Sequence, residues 1–94
     1  MKISTTSFLK DLDGSDLKDL SVGKTLAGIV GSQTKAVDPM KNFILAQKFY
    51  TQDEVEIDVS DLNLVKECVK TSDRFTSIVT GQLLIILNEK TETK

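Results

Sequence analysis

Along most of the chain apolar side chains recur at helical spacing, and over one short stretch they alternate with acids. Val22, Leu26, Ile29 and Val30 fall at i, i+4, i+7 and i+8 behind Ser21, a good N-cap, so a first helix is predicted to begin near Ser21. Gly31 suits the position just past its end, where positive φ costs glycine little, and residues 31–37 read as a loop. The second helix has the clearest start: Asp38 as cap and Pro39, the only proline, at the first helical position, where a missing N–H costs nothing. Met40, Phe43, Ile44, Ala46 and Tyr50, widened by Leu45 and Phe49, give it an apolar face broad enough for the centre of a core. Val55, Ile57 and Val59 then alternate with Glu54, Glu56 and Asp58, a strand pattern that puts the three acids on one face. Ser60 reads as the cap of a third helix, with Val59 and Leu64 as a hydrophobic staple. Leu64, Val65, Cys68 and Val69 face inward, and the helix fades at residues 71–73.

Residues 75–89 read as a last helix, capped by Ser72 or Asp73, with Phe75, Ile78, Val79, Gln82, Leu83 and Ile86 inward. The rival is a hairpin turning at Gly81-Gln82, since the flanks are rich in β-branched residues. The lack of polar alternation in residues 83–87 favours the helix. Leu84 and Leu87 then fall partly outside the inward stripe and are offered to a partner. Near the N-terminus, Asp13-Gly14 separates Ser7–Leu12 from Ser15–Leu20, and an Asp-Gly pair suits a type I′ turn. The segment is a hairpin or an extended arm, and the strand at 55–57 is a candidate to pair with it. The expected fold is mainly α: about four helices in one small domain, with a short β-hairpin or a two- to three-stranded β element near the N-terminus. Residues 1–20 form the hairpin or arm, 21–89 the helical core and 90–94 a frayed tail, all within a single domain spanning 1–94.

Composition narrows the chemistry. With 94 residues, 39% apolar and 28% charged, the chain is one globular domain rather than a disordered segment. It has no histidine, the commonest general base and metal ligand. Cys68 is the only cysteine, so neither an intramolecular disulfide nor a cysteine zinc cluster is available. It reads as a small core residue in a reducing compartment. The net charge of −2 gives no basic field for sequence-independent nucleic-acid binding. The charge is uneven, however. Residues 21–51 carry Lys24, Lys35, Lys41 and Lys48 against Asp38 alone, and residues 52–61 carry Asp53, Glu54, Glu56, Asp58 and Asp61 without a base. The polar start Met1–Thr6 is no signal peptide, and the apolar run Leu83–Leu87 is far short of the ~20 residues that span a bilayer. A soluble cytoplasmic protein without membrane attachment is expected.

Several stretches imitate catalytic motifs and break on their spacing. Val22-Gly23-Lys24-Thr25 ends like a phosphate-binding loop, but Lys18 stands where that loop needs its first glycine. Asp11-Leu12-Asp13-Gly14-Ser15 resembles the first motif of haloacid-dehalogenase-type phosphatases, yet no buried apolar strand precedes it. Read as a calcium loop, the same stretch puts Leu9 and Leu20 where carboxylates are required. Glu54, Glu56 and Asp58 are hydrated carboxylates or a docking belt for a basic partner. No catalytic residue, cofactor or metal ligand is assigned, and an enzyme is not expected. A helix-turn-helix DNA binder is the alternative, with Lys41, Asn42, Gln47 and Lys48 facing the duplex. Arg74, the only arginine, leaves little for clamping phosphates. Phe43 and Tyr50 read as core anchors rather than stacking platforms for bases.

Leu45-Ala46-Gln47-Lys48-Phe49-Tyr50, Glu54-Val55-Glu56-Ile57, Gly81-Gln82-Leu83-Leu84 and the earlier Leu12-Asp13-Gly14 carry a further likeness. It resembles small accessory proteins encoded by bacteriophages and prophages. The resemblance implies a phage or bacterial setting and a role in binding other proteins, and it assigns no site. The leading expectation is therefore a non-catalytic protein-interaction module, a phage or prophage accessory, assembly or host-modulating factor. Its candidate surface is Glu54, Glu56, Asp58, Leu84 and Leu87. Its partner is another protein or a second copy, because residues 83–87 are apolar on nearly every side.

Overall fold

The computed structural model describes residues 2–33 and 38–92. In chain order they form β1 (Lys2–Ser4), β2 (Phe8–Lys10), β3 (Asp16–Ser21), α1 (Val22–Gly31), α2 (Pro39–Thr51), β4 (Glu54–Glu56), α3 (Val59–Thr71) and α4 (Ser77–Glu92). The mainly helical class expected from periodicity holds, with four helices and a small antiparallel strand set. Residues 34–37 of the expected 31–37 loop, including Lys35, lie outside the described residues, as do positions 93 and 94 of the expected tail. Residues 90–92 of that tail belong to α4.

The strands form two separate antiparallel pairs, β1–β4 and β2–β3, rather than one three-stranded sheet. The N-terminal segment is a hairpin, and its turn differs from the two-residue type I′ form. Asp11 N–H donates to the Ser15 carbonyl (2.8 Å) and Gly14 N–H to the Asp11 carbonyl (2.9 Å). The loop is thus three residues, Leu12-Asp13-Gly14. Gly14, at φ 88°, is the only described residue with positive φ, the requirement of a glycine-bulge turn. The Asp13 carboxylate accepts from the Ser15 hydroxyl (2.6 Å) and the Ser15 N–H (2.9 Å), which together hold its pKa below the ordinary carboxylate range. β1 pairs with β4 through Ile3↔Val55, both fully buried, and the flanking Lys2↔Glu56 pair lies outside.

Thr5 ties these pieces together. Its N–H donates to the Asp53 carbonyl (2.9 Å), its hydroxyl to the Gln52 carbonyl, and its carbonyl accepts from Gly23 N–H (3.2 Å). The end of α2 is thereby joined to the start of α1. A Cβ on Gly23 would lie 2.5 Å from both the Phe49 carbonyl oxygen and the Thr5 Cβ, so the helices meet at a distance only glycine permits. Ser21 caps α1 as expected, accepting from Lys24 N–H (3.3 Å). The helix ends differently. Gly31 is its last helical residue, and no left-handed glycine follows. Side chains satisfy the terminal carbonyls instead: Ser32 Oγ and Gln33 Nε2 donate to the Ile29 carbonyl (3.2 and 3.1 Å), and Asn42 Nδ2, from α2, to that of Val30 (3.2 Å).

Asp38 and Pro39 start α2 as read, with Asp38 Oδ1 accepting from Lys41 N–H (3.1 Å). The cap of α3 is Asp58, accepting from Asp61 N–H (2.8 Å), and not Ser60. The earlier start exposes Val59, so no Val59–Leu64 staple forms, and the inward stripe is Leu62, Val65, Cys68 and Val69, with Leu64 only half-buried. α4 is one continuous helix, not a hairpin, and it starts at Ser77, after Phe75. Thr76 caps it with its carbonyl, accepting from Val79 and Thr80 N–H (both 3.0 Å), whereas Ser72 terminates α3. Its buried stripe is Val79, Leu83 and Leu87, and Ile78, Gln82 and Ile86 are half-buried beside it. Gln82 holds the hairpin to this helix. Its Oε1 accepts from Lys10 N–H (2.8 Å), and its Nε2 donates to the carbonyls of Lys10 and Ile78.

The core fills the space between these elements with Ile3, Leu9, Leu26, Ile29, Leu45, Phe49, Leu62, Leu83 and Leu87, and α1 packs most extensively on α2. Gly23→Ala tests the tight junction. Alanine gains at most about 1 kcal/mol of helix propensity, whereas overpacking costs about 1–3 kcal/mol. Urea denaturation is expected to show a net loss on the order of 1–2 kcal/mol with an unchanged slope.

Candidate interaction surface

The helix read as the centre of the core carries more apolar side chains than one buried face can hold. Asn42, Leu45 and Phe49, at i, i+3 and i+7, are the buried ones. Met40, Phe43, Ile44 and Tyr50 are 72%, 64%, 45% and 63% exposed. The expectation that Phe43 and Tyr50 anchor the core is therefore corrected. The bond between the Gly23 backbone and Thr5, and the packing of the Phe49 carbonyl on Gly23, fix which side of α2 turns inward. Phe43, Gln47 and Tyr50 then line up at i, i+4 and i+7 on the outer side.

Beside this row runs an apolar groove of ≈560 Å³. Phe43, Ala46 and Tyr50 form one wall, Ala27 and Gly28 of α1 the floor, and Lys24 and Arg74 the cationic margins. Arg74 lies over Gly28, where a Cβ would meet its Nε at 3.6 Å, and its guanidinium carbon is 5.7 Å from the Phe75 ring centroid. Lys24 Nζ is 5.9 Å from the Tyr50 centroid. Among the described residues neither cation pairs with a carboxylate, and no acid lines the groove. A second groove, ≈410 Å³, shares Lys24 and Tyr50 and continues towards Phe8, Asp19 and Asp53. Contiguous exposed apolar surface with a polar rim marks a binding site, and tyrosine and arginine are the residue types that carry most binding energy.

The surface expected from sequence is dispersed or internal. Leu87 is fully buried, and Leu84 is half-buried. The residue of that run exposed at 61% is Ile85, so most of its apolar surplus serves the core. Asp58 is spent as a helix cap. Glu54 sits 3.8 Å from Lys2 Nζ, and Glu56 opposes Lys2 across the strand pair. The DNA-facing set also separates. Asn42 is buried and bonded to Val30, so it is not available to a base edge. Lys41 is bound to Asp61 of α3 at 2.7 Å, which raises its pKa. Gln47 is exposed and Lys48 half-exposed. The connection between α1 and α2, residues 32–38, is longer than the three- or four-residue turn of a helix-turn-helix unit.

The imitations of catalytic motifs resolve as structure. Gly23 N–H is bonded to Thr5 and Lys24 N–H to Ser21, so these amides are not presented to a phosphate. Asp13 and Gly14 build a turn. No group of three or more His, Cys, Asp or Glu side chains among the described residues is placed to hold a metal, and no described helix is long and apolar enough to cross a membrane. Neither a protein-family model, nor a curated protein, nor a solved structure matches the chain.

Nothing in the sequence pairs Arg74 with Gly28, because only packing brings them together. The exposure of Phe43 and Tyr50 had a signal: seven apolar residues in a 13-residue helix exceed one buried stripe.

Cys68, 5% exposed, has its thiol pKa raised, chiefly by burial, against a lowering contact with Asn42. The folded thiol thus holds its proton more tightly than the unfolded one. The resulting penalty is absent at neutral pH and destabilises the fold as pH rises through the ordinary thiol range. DTNB at pH 8 is expected to leave Cys68 unmodified in the native protein and to titrate one thiol in urea.

Proposed function

We propose that the protein is a non-catalytic interaction module whose docking surface is the outer side of α2, formed by Met40, Phe43, Gln47 and Tyr50, with the adjoining groove between Lys24 and Arg74. The observation that carries this reading is the outward placement of two aromatic side chains on a helix whose opposite stripe already fills the core. Fully burying a side chain of this size is worth about 1.5–3 kcal/mol, so these side chains are the ones a partner gains most by covering. The phage or prophage setting, as an accessory, assembly or host-modulating factor, is part of the proposal and rests on the sequence resemblance. DNA binding is not favoured, given the burial of Asn42 and the pairing of Lys41.

The test is affinity capture from a lysate of the cell that makes the chain, comparing wild type with Phe43→Ser/Tyr50→Ser. Both side chains are exposed, so the double variant is expected to keep its helical circular dichroism and to lose the protein that wild type retains, by about tenfold or more. Equal retention by both forms, or recovery only of nucleic acid that washes away with salt, contradicts the reading.

A further inference from the structure

We propose that a second copy of this chain is the occupant of the α2 groove, and that the part it inserts is the hairpin tip Asp11-Leu12-Asp13. The proposal rests on the docking reading above and names the partner for the same surface.

Leu12 is 86% exposed, the most exposed large apolar side chain among the described residues. It stands at the end of a rigid turn, held by the Gly14-to-Asp11 and Asp11-to-Ser15 backbone bonds, so little conformational entropy is lost when it is buried. Acids flank it on both sides. Asp13 is kept ionised by its bonds to Ser15, which engage Oδ1 and leave Oδ2 for a further donor. An apolar knob between two carboxylates is therefore presented to solvent.

The groove is its complement. It is an apolar slot between two cations that have no carboxylate partner among the described residues. Arg74 offers a planar fork of donors suited to one carboxylate, and Lys24 a point charge for the other. The chain as a whole is acidic, so a cationic apolar slot on it is a local exception that selects an acidic knob.

The two patches are separate. The tip borders Ile78, Gly81, Gln82 and the exposed Ile85 of α4, and none of these residues lines the α2 groove. Each copy thus carries one knob and one slot at different places. Such an interface is heterologous, and it propagates head to tail into a ring or a filament.

The test is sedimentation velocity over a concentration series, with a charge swap. Wild type is expected to show a mass that rises with concentration above 10.4 kDa and falls with added salt. Lys24→Glu/Arg74→Glu, with every charge on both patches acidic, and Asp11→Lys/Asp13→Lys, with every charge basic, are each expected to lose association by about tenfold or more. An equimolar mixture of the two is expected to regain it, because acidic slot then meets basic tip and the reverse. The first variant keeps its fold: both residues are exposed, and glutamate at the third helical position behind Ser21 completes a capping box. Should the second perturb the turn, Leu12→Ser removes the knob alone and is expected to abolish association. A wild type monomeric up to about 1 mM, a level beyond any weak specific contact, overturns the proposal. So does association that survives Leu12→Ser, or swapped variants that fail to rescue each other while folded. If self-association is absent but Phe43→Ser/Tyr50→Ser still loses a captured foreign protein, the docking surface stands and only its occupant is wrong.

Discussion

The architecture depends on one close approach, at Gly23, where a Cβ would collide with the Phe49 carbonyl and the Thr5 side chain. Because there is no Cβ, the first turn of α1 sits directly against the last turn of α2, and Thr5 can bond to both ends of the junction. This contact sets the rotation of α2 about its axis. Phe49 turns into the core, so Tyr50, about 100° further round the helix, comes to lie at the open margin of the α1–α2 contact, where it stays exposed. The exposure of the α2 aromatics follows from the rotation that this backbone contact sets.

That dependence explains which parts of the structure were legible in the sequence. Signals confined to a few residues are explicit in it. Ser21 and Asp38 cap their helices, Pro39 opens α2, and Val55 and Ile57 alternate inward against exposed acids. The sequence is ambiguous where two candidates compete locally. Asp58 and Ser60 are both good caps, and a start at Asp58 rather than Ser60 brings Leu62 into the inward stripe of α3. Gly31 is a fitting helix stop by type, yet Ser32, Gln33 and Asn42 satisfy the same carbonyls, so no positive φ is needed.

The candidate site was less legible than the fold, for a related reason. Apolar periodicity reports how much apolar surface a helix has, not which part of it the rest of the chain covers. In α4 most of the surplus is absorbed: Leu83 and Leu87 are fully buried, and Leu84 and Ile86 pack against the core, leaving Ile85 outside. In α2 it is not, because α1 covers only the stripe of Asn42, Leu45 and Phe49, with Asn42 also reaching Cys68 of α3. The cationic rim has no linear signature, since Lys24 and Arg74 are fifty residues apart and meet only through Gly28. Residues singled out by charge or run length, such as Asp58 and Leu87, proved to be cap and core.

The central claim is that the outer side of α2 is open to a partner in the isolated chain. Tyr50 is the single tyrosine and there is no tryptophan, so intrinsic fluorescence reports on that surface alone. The most direct measurement is acrylamide quenching of this emission at low micromolar concentration, native against urea-unfolded. The account predicts a native quenching constant of about half the unfolded value or more, in keeping with a side chain 63% exposed. A native constant near zero would place Tyr50 inside the core and contradict the assignment of α2 as the binding surface.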